Sequence, residues 1–149
     1  MADLNIDIFN SGYQPVPSAL PVWPEGQQAT WPATTSTLIS GERDGVLVDA
    51  LATKAESQEL ADWLATTGKN LTQVYITHAH GDHFFGLNTV LEKYPSARAV
   101  VLPELVPLFA EQVTPEWMEI FNGFFPEQLF DKPAVPLALD KPEIGRAHV

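Results

Sequence analysis

A chain of 149 residues with 45% hydrophobic residues can bury one core and leaves little room for a second domain. Its 19 acidic and 8 basic residues give a formal net charge of −11 with no basic cluster, so we expect no nucleic-acid partner. The absence of cysteine excludes disulfides and thiolate ligands, and no apolar run approaches the roughly 20 residues of a membrane-spanning helix.

The N-terminal third of the chain predicts β-structure on both sides of a loop. Residues 4–8 alternate apolar and polar side chains, which predicts a half-buried strand and not a secretory signal segment, so we expect a cytoplasmic protein. The Pro-rich stretch 15–32 predicts an irregular covering loop. A hairpin is expected next, with strands at 36–40 and 46–48, and its second strand ends at Asp49.

Helices and strands are predicted to alternate in the rest of the chain. Thr53 and Glu56 have the spacing of a capping box, and Gly68 is placed to end the helix that follows. Residues 73–77 are rich in β-branched and aromatic side chains and predict a strand. The remaining predicted elements are a helix over 86–94, a strand over 98–102, a helix over 104–113, a helix that begins after Thr114, and a strand within 131–142.

Four potential metal ligands, His78, His80, Asp82 and His83, follow the strand at 73–77 within six residues. Imidazole nitrogens and carboxylate oxygens bind zinc at about 2.0–2.2 Å. Gly81 has no Cβ, so the backbone is expected to turn sharply there and aim the two ligand pairs differently. Surface histidines with Asp82 as a helix N-cap are the alternative, but three of the chain's four histidines in one run favour a metal site.

The run THAHGDHFFGL resembles the H-x-H-x-D-H signature of the metallo-β-lactamase superfamily, and the resemblance covers most of residues 35–102. It implies that His78 and His80 bind one metal ion and that Asp82 and His83 bind a second. It also implies a catalytic role for Asp82, which in this family helps to orient the attacking water. The two ions of such a site commonly lie about 3.5–4 Å apart.

The same resemblance implies a fold and a cofactor. Members of the family form a four-layer αβ/βα sandwich of two similar halves, and residues 1–142 match the first half, so we expect a truncated α/β (α+β) domain. Asp49 is implied to support the site from behind the ligands. Zn²⁺ is the implied cofactor, with two ions in the complete protein, and iron or manganese are alternatives because the ligand types do not select one metal.

The implied reaction is hydrolysis of a small ester, lactone, thioester or related small-molecule substrate by a metal-bound hydroxide. Phosphodiesterase and iron-dependent thiol dioxygenase activities are alternatives within the fold, and a non-catalytic metal-binding fragment or interaction module is the alternative outside enzymes. Further ligands are expected after residue 102, where no histidine stands in a recognisable context, so little turnover is expected of this chain. An uncovered sheet face prone to aggregation is also expected.

The aromatic residues and the C-terminal tail complete the predictions. Core packing is predicted for two groups of aromatic residues. For the first group, lining of a substrate pocket is the alternative: Trp23, Trp31, Phe84 and Phe85. For the second, a helical stripe, a lid or a partner surface is the alternative: Trp117, Phe121, Phe124 and Phe125. Residues 143–149 are expected to be a non-native tail, because the codons ATC-GGA-AGA-GCA-CAC-GTC for the last six residues would spell a common sequencing adapter. The oligomeric state is not predicted.

Overall fold

The computed structural model describes residues 3–17 and 26–139, so Trp23 and the predicted tail 143–149 lie outside the described residues. The described elements are β1 Asn5–Asn10, β2 Gln14–Pro15, β3 Thr30–Trp31, β4 Thr35–Ser40, β5 Asp44–Val48, α1 Lys54–Thr67, β6 Asn70–Tyr75, α2 Gly81–Phe84, α3 Leu87–Lys93, β7 Arg98–Val101, a 3-10 turn Pro103–Leu105, α4 Val106–Gln112, α5 Pro115–Phe124 and β8 Leu137–Ala138. The predicted α/β class is confirmed.

A mixed sheet of six strands in the order β1-β4-β5-β6-β7-β8 forms the centre of the structure. Strand β4 pairs antiparallel with β1 and β5, whereas β5, β6, β7 and β8 run parallel to one another. Parallel neighbours need crossover connections, which α1 supplies between β5 and β6 and which α2 and α3 supply between β6 and β7. The carboxyl ends of β5, β6 and β7 therefore meet at one edge of the sheet.

Helix α1 begins and ends as its sequence predicts. The Thr53 side chain accepts a hydrogen bond from the Glu56 backbone amide, and the Glu56 carboxylate accepts one from the Thr53 amide, so both halves of the capping box form. Gly68 ends the helix in the left-handed conformation at φ 67°. The capping box therefore fixes the start of α1, shortly after the turn that follows β5 and contains Asp49.

One face of the sheet is covered and the other is open. Leu38, Leu47 and Val74 occupy one row across β4, β5 and β6, and all three are buried with the apolar side of α1. On the opposite face, Ile6 and Ile8 of the edge strand β1 are 67% and 64% exposed. The expected open apolar face is thus present among the described residues, but the prediction that the first strand is half-buried is wrong.

Three local features differ from the sequence-based expectations. The Pro-rich stretch begins at the end of the short strand β2 and includes the short strand β3, and these two strands pair antiparallel. The predicted helix 104–113 begins as a 3-10 turn because Pro107 lies in its first turn and lacks an amide hydrogen. The ligand run contains one turn of α-helix, α2, where only a loop was expected. No helix among the described residues is both long and apolar enough to cross a membrane.

Candidate metal centre

The four predicted ligands lie together at the carboxyl end of β6. His78 and His80 stand in the segment between β6 and α2, and Asp82 and His83 are carried by α2. His78 Nε2 lies 3.2 Å from His80 Nδ1, and the rings of His78 and His83 are 4.1 Å apart between centroids. His83 Nε2 lies 3.8 Å from Asp82 Oδ2. The fold therefore brings together two pairs of donor atoms.

The spacing within each pair is compatible with a shared metal ion. Two ligands bonded to one tetrahedral zinc at about 2.0–2.1 Å lie roughly 3.4 Å apart. The His78–His80 nitrogens, at 3.2 Å, are close to this value, and the Asp82–His83 pair, at 3.8 Å, is slightly wider. Within the described part of the chain, however, no three histidine, aspartate or glutamate side chains are arranged to hold an ion by themselves. The donor pairs fit zinc, but the described residues do not complete a ligand set.

Asp49 lies directly behind the ligands, at the end of β5. Its Oδ2 is 2.8 Å from His83 Nδ1, and its Oδ1 accepts a hydrogen bond of 2.8 Å from the Thr77 backbone amide. The Thr77 hydroxyl adds contacts of 2.9 and 3.1 Å to the two carboxylate oxygens. The carboxylate is buried and held by these donors, and it in turn orients the His83 ring so that Nε2 lies on the side of Asp82.

The turn that carries Asp49 has a strained backbone. Asp49 and Leu51 adopt φ of 64° and 65°, a left-handed conformation that costs a residue with a side chain about 1–2 kcal/mol. Two hydrogen bonds join this turn to the ligand segment, from Ala50 N to the His83 carbonyl at 2.7 Å and from Gly86 N to the Leu51 carbonyl at 3.0 Å. His83 is therefore held through both its ring and its backbone.

Two glycines allow this close packing. A Cβ at Gly86 would collide with the Ala50 carbonyl oxygen, so only glycine lets the end of α2 approach the strained turn. A Cβ at Gly81 would collide with the Phe85 ring, and Gly81 does not have a left-handed conformation but begins α2. The chain does change direction here, from extended His80 into α2, but glycine is needed for space and not for a special backbone conformation. The sequence contained no signal for the role of Gly86 beyond the presence of a glycine.

The protonation tendencies of two histidines differ. Burial, with contributions from His83 and His80, lowers the pKa of His78 and so favours the neutral imidazole that can bind a metal. Burial also acts to lower the pKa of His83, but the hydrogen bond and negative charge of Asp49, together with Asp82, outweigh it and raise that pKa. The carboxylate behind His83 therefore makes this imidazole the more basic of the two.

An aromatic cluster packs beneath the ligand segment. Phe85 contacts Phe121 at 5.0 Å between ring centroids, and Trp31 of β3 packs against Phe125 at 5.3 Å. The core prediction is confirmed for the buried members of the two aromatic groups, namely Phe84, Phe85, Phe121 and Phe125. It is wrong for Trp117, which is 42% exposed because α5 turns that side chain away from the cluster. Helix α5 thus packs against the residues that follow the ligand segment, through the contact of Phe121 with Phe85.

Comparison with known sequences gives two matches. The sequence model of the Metallo-beta-lactamase superfamily matches residues 29–148. An atrochrysone carboxyl ACP thioesterase from Pseudocercospora fijiensis is 40% identical over 63 residues, which are 41% of this chain and 19% of that protein. The ligand run lies within the range of the superfamily match.

Comparison with solved structures identifies similar folds. A metallo-beta-lactamase from Hirschia baltica has a TM-score of 0.53 at 22% identity, with 72% of this chain and 43% of that chain covered. One from Pontibacter korlensis has a TM-score of 0.54 at 19% identity, with 74% and 48% covered. One from Pseudomonas aeruginosa, in a mono-zinc form, has a TM-score of 0.52 at 13% identity, with 71% and 42% covered. This chain spans less than half the length of each of these structures.

Proposed function

Because this chain belongs to the metallo-beta-lactamase superfamily, we propose that it carries the metal-binding segment of a metal-dependent hydrolase. His78 and His80 would bind one ion, and Asp82 and His83 would bind a second. The observation that carries this proposal is the 3.2 Å separation of His78 Nε2 and His80 Nδ1 at the carboxyl end of β6. In the metal-free chain this distance fits an N–H···N hydrogen bond between the two rings, and without that hydrogen the same two nitrogens would be placed to share a cation.

Different residues of the chain would have different roles in such a site. Zinc, when bound, supplies a water whose pKa falls to about 7 and polarises the electrophilic oxygen of the substrate. Asp82, at the start of α2, would accept a hydrogen bond from the attacking water and orient it, which is the catalytic role we assign to it. Asp49 holds His83 at 2.8 Å, which fixes the ring orientation before any metal is bound. Zinc is our proposal for the metal, and iron or manganese remain alternatives.

We propose a small ester, lactone or thioester as the substrate. The thioester has specific support, since the relative from Pseudocercospora fijiensis is named a thioesterase and shares 40% identity over 63 residues with this chain. The formal net charge of −11 disfavours a polyanionic substrate, which argues against the phosphodiesterase alternative. Hydrolysis at an acyl carbon would not depend on a nucleophilic side chain of this chain, since the metal would supply the nucleophile and Asp82 would orient it.

A metal-binding fragment without turnover is the second candidate, and one observation favours it. The described residues contain no group of three ligands that could hold an ion by themselves. An ion with too few protein ligands binds weakly and leaves the attacking water poorly placed. Under this second candidate, turnover needs further ligands from outside the described residues, and the 149-residue chain alone has little or no activity.

Metal content, measured by plasma mass spectrometry together with zinc titration, tests the assignment. The wild-type chain is compared with a His78→Ala, His80→Ala double variant and with His148→Ala as a control that removes a histidine outside the motif. Zinc binding that is lost in the double variant and retained in the control is the expected result. Equal zinc content in all three proteins would show that the motif does not bind the metal.

Activity measurements then separate the two candidates. Model thioesters, lactones and esters are incubated with the zinc-loaded chain, with and without a chelator, and with Asp82→Asn as the variant that lacks the orienting carboxylate. Slow hydrolysis that the chelator and Asp82→Asn both abolish supports the hydrolase. Zinc binding without any chelator-sensitive hydrolysis of the three substrate types supports the metal-binding fragment.

A further inference from the structure

The hydroxyl of Thr77 lies between a carboxylate and a predicted ligand. Thr77 Oγ1 is 2.9 Å from Asp49 Oδ2 on one side and 2.9 Å from His78 Nδ1 on the other. The same carboxylate contacts His83 Nδ1 at 2.8 Å. A continuous path of hydrogen bonds therefore runs from the His83 ring through Asp49 and Thr77 to the His78 ring.

The number of protons available decides the direction of these bonds. A hydroxyl has a single hydrogen, and a carboxylate can only accept. The two contacts of Thr77 Oγ1 with Asp49, at 2.9 and 3.1 Å, would be repulsive unless the hydroxyl hydrogen points to the carboxylate. The lone pairs of the hydroxyl then face His78, and the 2.9 Å contact is favourable only when His78 Nδ1 carries a hydrogen.

This direction determines which nitrogen of His78 can bind a metal. A neutral imidazole has one N–H, so a hydrogen on Nδ1 leaves the lone pair on Nε2. Nε2 is the atom that lies 3.2 Å from His80 Nδ1. His83 is set in the same way, because its Nδ1 faces Asp49 and its Nε2 remains free to bind. One carboxylate therefore orients both imidazoles, acting on His83 directly and on His78 through Thr77.

We propose that Thr77 is a positioning residue that fixes His78 as the Nδ1–H tautomer and so presents Nε2 to the metal. This inference rests on the proposed metal site for its consequence, but the tautomer itself is a property of the metal-free chain. Free histidine prefers the opposite Nε2–H form, so the hydroxyl shifts His78 away from its intrinsic preference. Thr77 is exposed, and its side chain can therefore be altered without opening the core.

Two substitutions at this position and one control test the proposal on the full chain. Thr77→Val keeps the shape and loses the hydroxyl, and Thr77→Ser restores a hydroxyl. Thr89→Val is the matched control, since the Thr89 hydroxyl bonds Ser57 at 2.8 Å between α1 and α3, away from the ligands. The tautomer of His78 is read in the metal-free proteins by long-range ¹H–¹⁵N NMR at about pH 8, where neutral imidazole predominates. Thermal melts followed by circular dichroism check that each variant is folded.

The expected result is the Nδ1–H form in the wild-type, Thr77→Ser and Thr89→Val proteins and a shift towards the Nε2–H form in Thr77→Val. Zinc titration should then show binding weakened about tenfold or more in Thr77→Val alone, as for other groups that orient metal ligands. An Nε2–H tautomer in the wild-type chain, or an unchanged tautomer in folded Thr77→Val, would overturn the inference.

The experiment distinguishes failure of the proposed metal site from failure of the proposed role of Thr77. A wild-type chain that binds no zinc would contradict the metal site, while the tautomer measurement, made without metal, would still decide the role of Thr77. If Thr77→Val shifts the tautomer but binds zinc as tightly as the wild-type chain, the hydroxyl does not position a ligand and the proposal is also overturned.

Discussion

Replacing Asp49 with alanine leaves three donors without their acceptor and puts a residue that tolerates left-handed backbone less well than aspartate at φ 64°. The donors are the Thr77 amide, the Thr77 hydroxyl and His83 Nδ1, all within 2.9 Å of a carboxylate oxygen. A buried donor left unsatisfied costs about 1–3 kcal/mol, but the Thr77 hydroxyl and the half-buried His83 ring can reach water, so we expect about 2–4 kcal/mol for the three together. Left-handed alanine adds about 1 kcal/mol, since aspartate tolerates that conformation better.

The sum of about 3–5 kcal/mol is a large part of the roughly 5–15 kcal/mol that stabilises a domain. Two further substitutions separate its components. Asp49→Gly removes the same acceptor but relieves the backbone at φ 64°, so it should be about 1 kcal/mol more stable than the alanine variant. Asp49→Asn keeps an acceptor for the Thr77 amide and tolerates the left-handed backbone, so it should lose the least of the three.

Urea unfolding of the metal-free proteins, followed by circular dichroism and tryptophan fluorescence, measures these differences. The expected order of stability is wild type, Asp49→Asn, Asp49→Gly and Asp49→Ala. A loss below about 1 kcal/mol in the alanine variant would mean that water replaces the carboxylate at little cost, contrary to the burial seen here. An alanine variant as stable as the glycine variant would show that the left-handed turn stores no strain.

Two more predictions concern His83 and the open sheet face. Asp49 raises the pKa of His83 in the folded chain above the value of about 6.5 that this histidine has in the unfolded chain. The protonated ring therefore contributes its full stability below about pH 6.5, and this contribution is lost as the pH rises through the folded pKa. The stability advantage of metal-free wild type over His83→Gln should therefore shrink with rising pH in urea titrations, and a constant advantage from about pH 5 to 9 would contradict it. On the open face, Ile6→Lys should reduce self-association in size-exclusion chromatography, whereas Asp7→Asn, an equal charge change on the neighbouring residue, should not. A wild-type chain that is already a monodisperse monomer would show that this face does not drive association.

Local sequence signals were sufficient for most of the secondary structure and for the location of the candidate site. The capping box of Thr53 and Glu56 and the terminating Gly68 define α1 because capping depends on side chains within one turn of the helix. The ligand run was recognised because its donors are close in sequence, and membership of the expected superfamily is confirmed by the sequence match over residues 29–148. The metal assignments, the domain boundary at 142 and the tail stay predictions.

Features that depend on contacts between distant parts of the chain could not be predicted from the sequence. The left-handed Asp49 and Leu51 and the close approach of Gly86 result from packing between the β5–α1 turn and α2, segments more than 30 residues apart. A periodic pattern also could not show that Ile6 is exposed, since alternation predicts two faces of a strand but not what covers them.

The sequence by itself thus predicted which residues bind a metal and located most of the helices and strands. Only the tertiary structure decided which ring nitrogens of these histidines face one another. The physical reason is that the identity of a ligand is a local property of the chain, whereas its orientation depends on hydrogen bonds from Asp49 and Thr77, which the parallel pairing of β5 and β6 brings to the same edge of the sheet.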